Sequence, residues 1–253
     1  MTEAPDKPSP SFATVAECLQ WVEPRLVAAH ARHLGGGHPE DLPWWPAGYA
    51  RERPERVFEI AVGAVLTQNT NWKNVEQALA NLEGADALGA KAIAALTDED
   101  LAELIRPSGF YRVKTRRLRA FTDAWLAAGG YEALDVRETS ALRAWLLDIH
   151  GVGRETADDI LLYGFQRPVW VIDSYTRRLF ARLGFPALAE ASYDQLAASL
   201  LQDTPAPDAS RLAQWHGLIV EHAKAHCRVR PGCDVCSLSD GCEYALSTSG
   251  QAV

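Results

Sequence analysis

Apolar side chains recur three and four positions apart through most of this chain, with polar residues filling the gaps. Val57, Ile60, Ala61, Ala64 and Val65 form one such stripe, and Val75, Leu79 and Leu82 a second. This spacing puts side chains on one face of an α-helix. Thr97 followed by Asp100 reads as a capping box, with Leu101, Leu104 and Ile105 as the apolar face behind it. A longer helix is predicted over 114–128, carrying Leu118, Phe121, Trp125 and Leu126 and stopped by Gly129-Gly130. The same pattern predicts helices over 141–149, 155–165, 174–183, 193–201 and 212–225. Val169 to Ile172 is the one convincing extended run, and it is too short to make a sheet. The expected class is all-α. Loops are expected at Gly35-Gly36-Gly37 and over 201–207, and the polar ends, 1–10 and 250–253, read as disordered tails.

Between two of the predicted helices lies Ile149-His150-Gly151-Val152-Gly153-Arg154-Glu155-Thr156-Ala157. Two glycines at this spacing permit a tight hairpin with positive φ. Such a hairpin aims backbone N–H groups at the start of the next helix, where an anion such as a nucleic-acid phosphate is favoured. A plain bend between helices is the competing reading. Asp173 follows, directly before the helix predicted over 174–183, where an aspartate can also act as an N-cap.

Charge changes the picture only in its distribution. The 253 residues carry a net charge of −8, which taken alone argues against a nucleic-acid partner. Yet Arg112, Lys114, Arg116, Arg117 and Arg119 lie close together, Arg177, Arg178 and Arg182 follow Asp173, and Arg228 and Arg230 sit among cysteines. Three basic clusters near the proposed site predict a local basic patch. No apolar run of about 18 residues is present to span a membrane. Met1 to Pro10 has no apolar segment and does not read as a secretory signal, so a cytoplasmic protein is expected.

Cys227, Cys233, Cys236 and Cys242 are spaced C-x5-C-x2-C-x5-C. Four thiolates so close together, in a chain read as intracellular, point to metal rather than to disulfides. Zinc and a [4Fe–4S] cluster both accept four thiolates, and spacing alone does not separate them. Cys18 stands apart and reads as a buried thiol.

Hairpin, helix and Val169-Trp170-Val171-Ile172-Asp173 together resemble the helix-hairpin-helix and Gly/Pro–Asp signature of the endonuclease III superfamily of DNA glycosylases. The resemblance implies two α-helical domains: a barrel over 56–167 ending in the helix-hairpin-helix, and a second domain from 11–55 plus 168–253. It implies a phosphate contact at Gly151, Val152, Gly153 and Arg154, a catalytic Asp173, and Gln68 filling the gap left by a flipped base. It also favours the iron–sulfur cluster, because superfamily members carry a C-terminal C-x6-C-x2-C-x5-C loop just after a long helix; one residue fewer stands in the first gap here. Pro43-Trp44-Trp45-Pro46, Leu66-Thr67-Gln68-Asn69-Thr70-Asn71-Trp72 and Arg106-Pro107-Ser108-Gly109-Phe110-Tyr111 are similar to the 3-methyladenine DNA glycosylase III branch. By that likeness Trp44, Trp45 and Trp72 stack on the flipped base, while core packing is the alternative for the tryptophans.

Lyase members of the superfamily place a catalytic lysine where this chain has Glu155. A carboxylate cannot form a Schiff base. The resemblance therefore implies a monofunctional glycosylase, acting as a monomer on double-stranded DNA with damaged bases and hydrolysing the glycosidic bond of alkylated purines. Two alternatives stand beside it: an endonuclease III-type enzyme for oxidised pyrimidines, and a non-catalytic lesion-binding protein.

Overall fold

The computed structural model describes residues 12–30 and 55–249. Trp44, Trp45 and both expected tails lie outside them. In chain order the helices are α1 (Val15–His30), α2 (Glu55–Thr67), α3 (Trp72–Gly84), α4 (Ala90–Ala95), α5 (Asp98–Leu104), α6 (Tyr111–Ala127) and α7 (Tyr131–Asp135). There follow α8 (Thr139–Asp148), α9 (Arg154–Asp159), α10 (Ser174–Arg182), α11 (Pro186–Glu190), α12 (Tyr193–Asp203), α13 (Ala209–Ala225) and α14 (Glu243–Ser249). There is no β-strand among the described residues, and Val169 to Ile172 runs as extended coil. Likewise, no helix among them is long and apolar enough to cross a membrane.

The chain divides into two compact units, Glu40–Val171 and the pair Met1–Pro39 with Ile172–Val253. We call these the central and the terminal unit. In the central unit α2 is buried almost all round: besides the predicted stripe, Phe58, Val62 and Leu66 are also inside. A helix apolar on every side sits within a core rather than on it. Phe58, Phe121 and Trp125 form an aromatic cluster around it, with ring centroids 5.4 to 5.9 Å apart. Each such pair adds about 0.5–1.5 kcal/mol beyond the area it buries.

Several predicted helices differ at their ends, α13 beginning at Ala209 rather than 212, and two differences bear on the central unit. The one expected over 155–165 is a short α9 followed by a π turn, Ile160–Gly164. The widened turn brings Gly164 against α2, where a Cβ would lie 3.1 Å from Val57 Cγ1. The one expected from 114 begins earlier, at Tyr111, behind Phe110 in the left-handed region (φ 46°). In the terminal unit α1 packs on α12 and α13, and α10 packs on α11, α13 and α14. Helices α1, α4, α7, α11 and α14 were not legible in the periodicity, four of them because they are seven residues or fewer.

Candidate functional site

The hairpin turns through Gly151, whose φ is +89°. A side chain there would also collide with Arg117: a Cβ would lie 2.3 Å from Cγ. Gly153 is different. It is the N-cap of α9 with φ −91°, and a Cβ would meet nothing within 4 Å. The expectation of positive φ thus holds for the first glycine and not for the second, because only Gly151 sits where the chain reverses. Val152, expected on the phosphate, points inward with 6% of its surface exposed. Gly153, Arg154 and Glu155 are exposed at the start of α9.

Around this turn the central unit supplies a brace. Gln68 Nε2 donates to the Gly151 carbonyl (3.0 Å) and to Thr156 Oγ1 (2.9 Å). Arg117 Nη1 donates to Gln68 Oε1. Arg143 of α8 donates to both carboxylate oxygens of Asp158 in α9, at 2.7 and 3.0 Å, and so clamps the two arms. In this structure, then, the Gln68 amide is held on the hairpin rather than presented for insertion into DNA.

The basic stretch is largely used for internal work, contrary to the expected patch. Lys114 is 1% exposed and its ammonium donates to the carbonyls of Leu66 (2.7 Å) and Ser108 (2.6 Å). Burial, with Arg117 adding to it, lowers its pKa to about 8. Arg119 pairs with Asp98 and donates to the Ile93 and Leu96 carbonyls at the end of α4. One guanidinium fork thus serves two carbonyls at once, of which Ile93 also accepts the Leu96 N–H. Of the five, only Arg112 and Arg116 are fully turned to solvent. Beside them stands Phe110, 69% exposed and in left-handed backbone conformation. Its place in the sequence assigns it no role. Trp72, at the start of α3, is half-buried and packs against the central core.

In the terminal unit Asp173 is buried to 8% exposure and caps α10: Oδ1 accepts the Thr176 N–H at 2.7 Å. Oδ2 faces His216 Nε2 of α13 at 3.7 Å. Burial pushes the carboxyl up, but His216 and the Thr176 contacts outweigh it, and the net shift is downward, favouring the carboxylate. His216 was missed in the sequence because its link to Asp173 spans 43 residues, 173 to 216, and carries no local pattern.

Cys227, Cys233, Cys236 and Cys242 line one cavity together with Leu179, Leu238 and Ala245. Arg182 Nη1 donates to Cys227 Sγ (3.2 Å), and His222 Nε2 lies 3.5 Å from Cys236 Sγ. Burial pushes the Cys236 thiol to about 11 and raises Cys242 as well, and the neighbouring cysteines add to both shifts. Four thiolates gathered there need a cationic group to offset their repulsion, so the donor set fits a thiolate-ligated centre. Among the described residues, no three His, Cys, Asp or Glu side chains close on a point tightly enough for a single metal ion.

A family model for base excision DNA repair proteins of the HhH-GPD superfamily matches residues 62–203. The chain belongs to this superfamily. The HhH-GPD chain is 43% identical over 202 residues to a Methanocaldococcus jannaschii protein named as a candidate DNA repair glycosylase, covering 79% of this chain and 88% of that one. It is 30% identical to an endonuclease III of Thermotoga maritima, over 74% of this chain and 83% of the relative. Among solved structures it is similar to the H. pylori 3-methyladenine DNA glycosylase bound to 1,N6-ethenoadenine (TM-score 0.63, 30% identity, 83% of this chain and 95% of that one). An endonuclease III–DNA complex shares the fold at a TM-score of 0.71 and 19% identity, over 93% of this chain and 99% of that one.

Proposed function

We propose that this HhH-GPD protein is a monofunctional DNA glycosylase that releases alkylated purines from double-stranded DNA and leaves the strand intact. Glu155 carries the reading. It is exposed in the first turn of α9, at the position where a lyase of the superfamily carries its Schiff-base lysine. Lys114 is no substitute, since its ammonium is buried on two carbonyls.

In the proposed reaction water attacks C1′ of the sugar, the glycosidic bond breaks, and the base departs with the bonding electron pair. Asp173, held as a carboxylate, stabilises the developing oxocarbenium charge and accepts a proton from the water. N3- and N7-alkylated purines are cationic and leave as neutral bases, so the leaving group needs little acid assistance. A pocket with an exposed carboxylate and aromatic walls attracts a cationic base. The likeness to the 3-methyladenine enzyme at 30% identity supports a purine substrate. Of the three tryptophans proposed as walls, Trp72 lies among the described residues, half-buried against the central core, while the exposed Phe110, beside Arg112 and Arg116, is suited to insertion between base steps.

Cys227, Cys233, Cys236 and Cys242 would hold a [4Fe–4S] cluster, whose contribution is structural: it would fix the loop bearing the exposed Arg228 and Arg230. Anaerobically purified protein should then be brown, with broad absorption near roughly 400 nm. Colourless protein with one equivalent of zinc would contradict the cluster.

The 30% identity to an endonuclease III supports a second reading, release of oxidised pyrimidines. One assay separates the two: duplexes carrying 3-methyladenine, 7-methylguanine or an oxidised pyrimidine, with borohydride added to trap any Schiff base. Release of methylated purines with no trapped adduct is expected, and Asp173→Asn should abolish release while DNA binding persists. Trapping by the unaltered protein, or release confined to pyrimidines, would refute the proposal.

A further inference from the structure

Asp173 has two oxygens and they are held differently. Oδ1 is fixed by the Thr176 N–H at 2.7 Å, a contact within its own helix. Both Thr176 contacts come from the first turn of α10, so they hold the carboxylate from one side. Oδ2 is met from another element: His216 of α13, with Nε2 at 3.7 Å and its side chain only 14% exposed. The register of α13 leaves His216 little freedom, since its neighbours Trp215, Leu218 and Ile219 are each 1% exposed or less. On the other side of the aspartate the Ile172 N–H donates to Tyr193 Oη (3.2 Å), which fixes the chain just before the carboxylate.

We infer that His216 is a positioning residue for Asp173: its imidazole, reaching Oδ2 from a second helix, fixes the plane of a carboxylate that Thr176 holds from one side. The inference rests on the reading of Asp173 as the group that serves base release. The other charged groups around α10 are engaged elsewhere. Arg177 donates to the Ala189 and Ala191 carbonyls, Arg178 to the Cys227 carbonyl, and Arg182 to Cys227 and the Arg228 and Val229 carbonyls. From α13, Glu221 pairs with Lys224, and Arg211 pairs with Glu23 of α1. From α14, Glu243 lies against Gly184 beyond the far end of α10, and from α11 Glu190 is open to solvent. Among the described residues His216 is therefore the ionisable side chain that acts on Asp173.

The test is single-turnover release of 7-methylguanine from methylated duplex DNA across the acid limb of the pH profile, with affinity for an abasic-site duplex measured in parallel. His216→Ala removes the imidazole that faces Oδ2 and any charge it carries. It should slow release about 10- to 100-fold, the usual result of a misplaced catalytic group, and move the acid limb to higher pH, because only the Thr176 contacts then oppose the effect of burial on the carboxyl. His216→Gln keeps a donor but never carries charge. It should restore most of the rate above the acid limb and still shift that limb upward. Abasic-site affinity should be unchanged in both. If either folded variant shows the unaltered acid limb while Asp173→Asn is inactive, the role given to His216 is wrong and that of Asp173 stands. If Asp173→Asn still releases base, the reading of the site itself falls.

Discussion

The hairpin of the central unit and the cysteine loop of the terminal unit are both tight segments next to a helix end, but they are held in opposite ways. The hairpin is fixed by the chain's own groups. Gly151 turns it, Gln68 and Arg117 brace it, and the Arg143–Asp158 pair clamps its arms. The cysteine loop contains only a three-residue 3-10 turn, Cys233–Val235, and encloses thiols that burial and mutual repulsion make costly to ionise. One region is complete as folded. The other, under the proposal above, would be completed by a cluster that the polypeptide does not supply.

The largest effect is expected from taking the proposed cluster away. Cys236→Ser, or oxidative loss of the iron, should strip hydrogen-exchange protection from α13 and α14 while α2 and α8 keep theirs, since a structural metal centre contributes folding free energy directly. Equal loss in both units, or in neither, would remove the contrast. Next in size is Gly151→Val. It forces a β-branched residue to φ +89° and against Arg117, and should cost about 2–4 kcal/mol in chemical denaturation from backbone strain and overpacking together. A cost below about 1 kcal/mol, within the range of an ordinary surface substitution, would mean the hairpin is softer than its brace implies.

Gln68→Ala comes third. It leaves the Gly151 carbonyl and Thr156 hydroxyl without their shared donor, and about 1–2 kcal/mol of stability should go with it. The smallest stability effect belongs to Gly153→Ala. Its ordinary φ and open surroundings predict a change within about 0.5 kcal/mol. Abasic-site DNA binding by the same variant should weaken nonetheless, and about equally for every sequence, if a phosphate approaches the start of α9. Unaltered DNA affinity would leave Gly153 as a plain helix cap.

Some of this was visible before any coordinates. The 3.6-residue periodicity located the long helices, because a helix with one buried face must repeat apolar residues at that period. Thr97 was readable as a cap, and its Oγ1 does accept the Asp100 N–H at 3.1 Å. The short helices α4, α7 and α11 were not readable, since one or two turns cannot establish a period and tertiary packing decides their form. The all-α class and the superfamily were legible, and so were the hairpin, the four cysteines and Asp173, because each rests on residues adjacent or nearly adjacent in the chain.

What the linear order could not convey is where long side chains reach. Five basic residues in one stretch look like a surface patch. Folding turns Lys114, Arg117 and Arg119 onto carbonyls and Gln68, because buried backbone oxygens and amides must find donors. The two hairpin glycines look alike as letters, and only the backbone path assigns the left-handed turn to Gly151 and the cap to Gly153. His216 reaches Asp173 from a helix that begins 36 residues later, at Ala209, so their contact exists only once α10 and α13 pack. The sequence by itself determined the helical pattern, the fold class and the chemical types at the candidate site. The tertiary structure alone decided which of those groups face solvent, which satisfy the backbone, and which imidazole meets the carboxylate, because hydrogen bonding and burial depend on neighbours that are distant in the chain.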